Sequence, residues 1–162
     1  MSRGPSQQPL LPSVLDRLID HEPDVSTEPA WAQSQSLNDY QMSVLRDVEN
    51  LLNARPMRTN LPEGLSEASR SVLTFGMPDF TTMGASGIEE REQLRRAVER
   101  TVQRFEPRLR NIRAVLHEAE SRFDRTLRLT IEALLWVDPE PIPISFDTLV
   151  QPASGTCKVE GS

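Results

Sequence analysis

The sequence predicts an α+β domain in which helices come first and a small antiparallel β-meander follows. Apolar residues recur at helical spacing within residues 36–53 and 88–105, whereas from residue 112 onward they alternate as in half-buried strands. The strand patterns are joined by short turns rich in charge or proline, which is typical of antiparallel neighbours. Helices that precede strands in this way pack on one face of the sheet.

Composition and charge narrow the class of protein. A chain of 162 residues suits one domain plus tails, and a net charge of -6 argues against general affinity for nucleic acid or anionic membranes. Cys157 is the single cysteine, so the sequence predicts no internal disulfide and a reducing compartment. The first residues lack the apolar core of a signal peptide, and no window approaches the roughly 18–20 apolar residues of a membrane span. We therefore expect a cytoplasmic protein without direct membrane insertion.

Residues 1–35 are predicted to form an N-terminal tail with a short docking helix and a proline-rich linker. Ser13 is the predicted N-cap of the helix, and Asp16 stands in the capping-box position. The apolar stripe of this helix consists of Val14, Leu15, Leu18 and Ile19. A helix of about two turns is marginal alone, so it must dock either on this domain or on a neighbouring protein.

Residues 36–162 are predicted to form a single α+β domain that opens with a helix from Ser36 to about Asn53. Asp39 follows its first residue three positions later, and Arg55-Pro56 ends it. The predicted apolar face consists of Val44, Leu45, Val48, Leu51 and Leu52. The residues predicted to face outward are Arg46, Asp47, Glu49 and Asn50.

A second helix is predicted to start at a capping box of Ser86 and Glu89 and to continue to Phe105. The residues of its predicted apolar face are Leu94, Ala97, Val98, Thr101, Val102 and Phe105. The opposite face carries several arginines, which raises the hypothesis of nucleic-acid binding. Glutamates are interleaved with these arginines, and the sequence places no aromatic stacking platform near them. A solvated or partner-facing surface is therefore favoured, and no nucleic-acid partner is expected.

Three strand patterns follow, and a fourth segment can add a short last strand. They are Ile112 to Leu116, Phe123 to Val137, Ile142 to Thr148, and finally Gly155 to Val159. Pro141 and Pro143 lie at the head of the third pattern, and proline is best tolerated on an edge strand or at the start of a strand.

The junction between the second helix and the first strand is Glu106-Pro107-Arg108. Pro107 cannot continue a helix and pushes Glu106 out of helical geometry. If the chain is extended from residue 106, one face consists of Glu106, Arg108, Arg110, Ile112, Ala114 and Leu116. Charged groups at the head of such a row need partners, in this chain or in another one. In the alternative interpretation, Arg104 and Arg108 complement the helix C-terminus, and Glu106 is solvated.

Motifs for catalysis or cofactor binding are weak in this sequence. It lacks a phosphate-binding loop, and its two histidines, His21 and His117, have no third ligand at metal spacing, so no cofactor or metal is expected. The enzymatic alternative is a glycoside hydrolase that cleaves peptidoglycan with Glu106 as general acid. The candidate second carboxylates are Asp79, Glu118 and Asp124.

Four segments of the chain together resemble a known family. They are residues 13–18, residues 51–56, the Glu106-Pro107-Arg108 triplet after a long helix, and Phe146-Asp147-Thr148 in the closing strand. In this order they resemble the baseplate wedge and sheath-initiator family of contractile tails. The likeness is greatest to the TssE baseplate subunits of type VI secretion systems, which an older naming linked to lysozyme.

The resemblance implies a structural role without catalysis. It implies contacts with the other baseplate wedge subunits, TssF, TssG and TssK, and with the sheath subunits TssB and TssC. The sheet would then template the first sheath ring by strand pairing at one of its edges. Glu106, Pro107 and Arg108 would be sheath-contact or fold-critical residues. The residues expected to dock on the wedge are Val14, Leu15, Leu18 and Ile19.

Overall fold

The protein is represented by a computed structural model that describes residues 10, 13–19, 24, 36–57, 61–62, 64–79, 87–117, 126–138, 140–151 and 154–161. Within these ranges the helices are α1 (Val14–Leu18), α2 (Leu37–Asn53) and α3 (Ile88–Phe105), with 3-10 turns at Ala68–Arg70 and Val72–Thr74. The strands are β1 (Leu109–Leu116), β2 (Leu127–Leu135), β3 (Ile142–Gln151) and β4 (Thr156–Gly161). The predicted α+β class is confirmed.

Side-chain caps determine where the helices begin. At α1, Ser13 Oγ accepts from the backbone N–H of Asp16, whose carboxylate accepts from the Ser13 N–H at 3.1 Å. Ser36 and Asp39 repeat this arrangement at α2, so the predicted starts of α1 and α2 are confirmed. The predicted start of α3 is wrong by one residue. Gly87 is the N-cap, and its N–H donates to Glu90 Oε2 at 3.0 Å.

The four strands form one antiparallel sheet in the order β1-β2-β3-β4, as expected for a meander. Pairs such as Ala114 with Ile131, and Ile131 with Phe146, bring the alternating buried residues of neighbouring strands onto one face. These residues share a single core with the buried residues of α2 and α3. α2 packs against β4 and α3 packs against β1, so the helices cover that face.

β1 departs from the predicted alternation. It begins at Leu109, and its pairing with β2 shifts between Arg110 and Arg113, where Asn111 has a φ of 53°. The extra residue forms a β-bulge, so the row predicted to extend from Glu106 is wrong in its first half. Arg110 lies on the outer face, with its guanidinium 4.0 Å from the ring centroid of Trp136. Ala114 is buried as predicted.

Pro143 lies near the start of β3, which is an inner strand of the sheet. β4 ends at Gly161, opposite Phe146, and therefore does not extend as far as Pro143. Of the two predicted placements, the start of a strand is confirmed. Phe123, Ser86 and most of the linker before α2 lie outside the described residues.

Candidate functional site

The residues at the junction of α3 and β1 form a charged cluster rather than the beginning of a strand. The N–H of Glu106 donates to the C=O of Val102 and completes the last turn of α3, and the C=O of Glu106 accepts from the N–H of Leu109. Arg108 Nε donates to Glu106 Oε1 at 2.7 Å, and Arg108 Nη2 donates to Glu106 Oε2 at 2.6 Å. This two-pronged pairing allows a carboxylate to remain at a residue that is only 4% exposed.

Arg108 also reaches α2. Its Nη2 donates to Asp47 Oδ2 at 2.6 Å, and its Nη1 donates to Ser43 Oγ at 3.3 Å. Burial lowers the pKa of Arg108, but hydrogen bonds and charge from Glu106 and Asp47 outweigh burial and hold this pKa above its ordinary value. The Glu106–Arg108 turn, residues 106–108, is therefore joined to the middle of α2.

The charged cluster continues from Asp47 to the N-terminal helix. Arg46 Nη2 donates to Asp47 Oδ1 at 2.9 Å and to Asp16 Oδ1 at 2.7 Å. Burial raises the pKa of Asp16, but hydrogen bonds from Ser13 and Arg46 outweigh burial and lower it to about 2. We call the alternating acids and bases the charge chain; its members are Asp16, Arg46, Asp47, Arg108 and Glu106.

The structure decides between the two interpretations of the junction. Glu106 and Arg108 pair with each other inside the protein, so the interpretation in which Glu106 is solvated is wrong. Sequence reasoning did not identify Asp47 and Ser43, because it assigned Asp47 to the outward face of α2. Both residues flank Val44 and Val48 on the buried stripe of α2. Their place at the border of the buried stripe was the sequence feature that could have indicated a role for them in this site.

Two of the predicted docking residues of α1 are largely exposed, and the other two are partly covered. Val14 and Leu18 are each 76% exposed, Leu15 is 47% exposed and Ile19 is 36% exposed. The side of α1 that contacts the domain carries Asp16, whose side chain is only 8% exposed beside Arg46. Val14 and Leu18 thus contribute little to the packing of α1 on this domain.

A helix side chain caps one residue on each outer strand of the sheet. On β4, Asn53 Nδ2 donates to the C=O of Cys157 at 2.7 Å, and Asn53 Oδ1 accepts from the N–H of Cys157 at 2.8 Å. On β1, Glu99 Oε1 accepts from the N–H of Ala114 at 2.9 Å. Such caps limit uncontrolled strand pairing at a sheet edge.

The geometry gives no support to the glycoside hydrolase alternative. Both carboxylate oxygens of Glu106 accept hydrogen bonds from Arg108, so neither is available to protonate a leaving group. Asp79 is exposed, and Glu118 and Asp124 lie outside the described residues. A cleft of about 740 Å³ between α2 and the sheet has Glu132 as its one lining carboxylate among the described residues.

Other chemical possibilities are also limited within the described ranges. Cys157 is buried, and burial raises its pKa to about 11, which leaves its thiol a poor nucleophile near neutral pH. No cluster of three His, Cys, Asp or Glu side chains suited to a metal ion occurs among the residues that the structure describes. In the same part of the chain, no helix has the length and apolarity to cross a membrane.

The charge chain joins α1, α2 and the Glu106–Arg108 turn of this small α+β domain. A family model described as baseplate wedge protein gp25 matches residues 38–140, and the chain belongs to this family of structural baseplate proteins. The matched segment includes α2, α3 and the Glu106–Arg108 turn, whereas α1 and the last two strands lie outside it. Comparisons with curated proteins and with solved structures give no match.

Proposed function

We propose that this chain is a TssE-type baseplate subunit of a contractile, type VI secretion machine and acts in the cytoplasm. The observation that carries the proposal is the match to the baseplate wedge family, which includes the Glu106–Arg108 turn. Its partners would be the wedge subunits TssF, TssG and TssK and the sheath subunits TssB and TssC. The role is structural: the domain holds a sheet in place beside other baseplate proteins.

The apolar stripe of α1 is the proposed contact with the wedge. Val14 and Leu18 are exposed although their helix is seated on the domain, and apolar residues at this spacing suit the groove or helix face of another protein. The seated helix has already lost part of its conformational freedom, which lowers the entropic cost of docking.

The edge of β4 is the proposed template for the first sheath strand. The carboxamide of Asn53 offers one donor and one acceptor to Cys157, as the peptide group of a neighbouring strand does. An incoming sheath strand could replace both hydrogen bonds. Glu99 on β1 offers only an acceptor to Ala114, so it imitates a strand less completely.

The geometry favours the fold-critical role of the Glu106–Arg108 turn over the sheath-contact role. Arg108 Nε, Nη1 and Nη2 all donate to acceptors within the domain. A sheath segment that used this arginine would have to compete with two carboxylates. The turn would therefore act on the sheath indirectly, by holding the start of the sheet against α2.

The test is affinity copurification from the native cytoplasm with the intact chain and with the double variant Val14→Ser, Leu18→Ser. The intact chain should recover wedge and sheath subunits, and the variant should lose about tenfold in wedge recovery because it removes the proposed apolar anchors. Met57→Ser is the matched control, since Met57 is 79% exposed but lies outside α1.

Recovery of neither wedge nor sheath subunits by the intact chain would overturn the proposed function. Unchanged wedge recovery by the double variant would remove α1 from the interface and leave the rest of the proposal standing. A parallel incubation with purified peptidoglycan tests the enzymatic alternative, and we expect no release of sugar.

A further inference from the structure

Asp47 occupies the central position of the charge chain. Its Oδ1 accepts from Arg46, which seats α1, and its Oδ2 accepts from Arg108, which holds the Glu106–Arg108 turn. One carboxylate therefore joins two arginines that belong to different contacts. The side chain of Asp47 is 22% exposed and that of Arg108 is 18% exposed, so water screens this pairing only in part.

The order of charges makes the two contacts interdependent. Two guanidinium groups on one carboxylate repel each other, and each is offset by its own outer acid, Asp16 for Arg46 and Glu106 for Arg108. When α1 leaves its seat, Asp16 no longer offsets the positive charge of Arg46, which stays beside Asp47. Arg46 then competes with Arg108 for the same carboxylate.

We propose that α1 and the Glu106–Arg108 turn form one electrostatically coupled unit, in which the seating of α1 by Asp16 strengthens the hold of Asp47 on Arg108. Release of α1 then loosens the turn from which β1 starts. The coupling is a property of this chain alone. Its use in assembly rests on the proposed function, because a wedge subunit that binds the seated α1 would stabilise that seat and, through Asp47, the start of β1.

The two capping boxes supply a matched pair of variants. Asp16 and Asp39 each accept from the hydroxyl of the preceding N-cap serine at 2.6 Å, and each accepts from the backbone N–H of that serine. Only Asp16 has a described ion pair with an arginine of another element. Asp16→Asn therefore perturbs both a capping box and the charge chain, whereas Asp39→Asn perturbs only a capping box.

The experiment is amide hydrogen exchange by NMR on the isolated full chain. The N–H of Ile19, bonded to Leu15, reports on α1. The N–H of Leu109, bonded to Glu106, and the N–H of Trp136, bonded to Arg108, report on the turn. We expect Asp16→Asn to speed exchange at Ile19 and, by about fivefold, at Leu109 and Trp136. Asp39→Asn should affect only the first turn of α2.

A second variant separates coupling by charge from coupling by contact. Arg46→Met also removes the seat of α1 but leaves no stray charge beside Asp47, and methionine retains part of the apolar stem. Exchange at Ile19 should rise as in Asp16→Asn, whereas Leu109 and Trp136 should stay within about twofold of the parent protein.

Three outcomes would overturn the coupling. They are unchanged exchange at Ile19 in Asp16→Asn, equal exchange at Leu109 in Asp16→Asn and Asp39→Asn, or equal loosening of the turn by Asp16→Asn and Arg46→Met. None of these measurements uses a wedge or sheath subunit, so each leaves the proposed function unaffected. Failure of copurification would in turn leave the coupling unaffected.

Discussion

α1 and α2 begin in the same way, but α2 buries its apolar residues in the domain whereas α1 leaves two of its apolar residues exposed to solvent. Both helices start with a serine N-cap and an aspartate at the third helical position. α2 buries Val44, Val48 and Leu52 completely, whereas α1 exposes Val14 and Leu18 and faces the domain with Asp16. The comparison shows that a capping box fixes where a helix starts, while the partners available in three dimensions decide which side it buries.

The largest expected difference concerns two arginines, Arg108, which ties the Glu106–Arg108 turn to α2, and Arg46, which ties α1 to α2. Arg108→Met should lower the free energy of unfolding by about 3–5 kcal/mol, because it leaves Glu106 as a buried charge without its ion pair. Arg46→Met should cost about 0–1 kcal/mol, because the side chain of Arg46 is 35% exposed. Urea unfolding of both variants measures the contrast, and similar losses for the two would contradict it.

A smaller contrast is expected between matched leucines. Leu52→Ala should lower the free energy of unfolding by about 2–5 kcal/mol, because Leu52 is 0% exposed and its truncation leaves a cavity. Leu18→Ala removes a side chain that is 76% exposed and should change this free energy by about 0.5 kcal/mol or less. If Leu18→Ala destabilises the isolated chain as strongly as Leu52→Ala, the apolar stripe of α1 packs on this domain, and the comparison fails.

The smallest expected effect is a pH dependence at α1. The folded-state pKa of Asp16 is about 2, below the ordinary value of 3.8. Ionised Asp16 therefore stabilises the seat of α1 fully above pH 3.8, and this stabilisation is lost as the pH falls through about 2. At pH 5 the Ile19 N–H should be better protected from hydrogen exchange in the parent protein than in Asp16→Asn. This difference in protection should close near pH 2. A constant gap would show that the ionised form of Asp16 does not seat α1.

Local patterns allowed the sequence to predict much of the fold. The caps at Ser13 and Ser36, the apolar spacing of α2 and the alternation of β2 depend on residues near one another in the chain, and all are confirmed. The bulge at Asn111 was missed because an inserted residue leaves no trace in composition, and only pairing with β2 reveals it.

The candidate site was less accessible to sequence reasoning. Glu106 and Arg108 were identified because proline isolates them between a helix and a strand. Asp47 was not, because its bond to Arg108 joins residues 61 positions apart and depends on how α2 packs. The cap of Asn53 on Cys157 joins residues 104 positions apart and was missed for the same reason.

The bulge in β1 also brings buried residues on either side of it onto the same face of the sheet. Leu109 and Ala114 are five positions apart, so a regular strand would place them on opposite faces, yet both are buried in the same core. If β1 paired with β2 without the extra residue between Arg110 and Arg113, either Leu109 or Ala114 would face away from the core. The strand therefore needs the insertion in order to bury both residues at once.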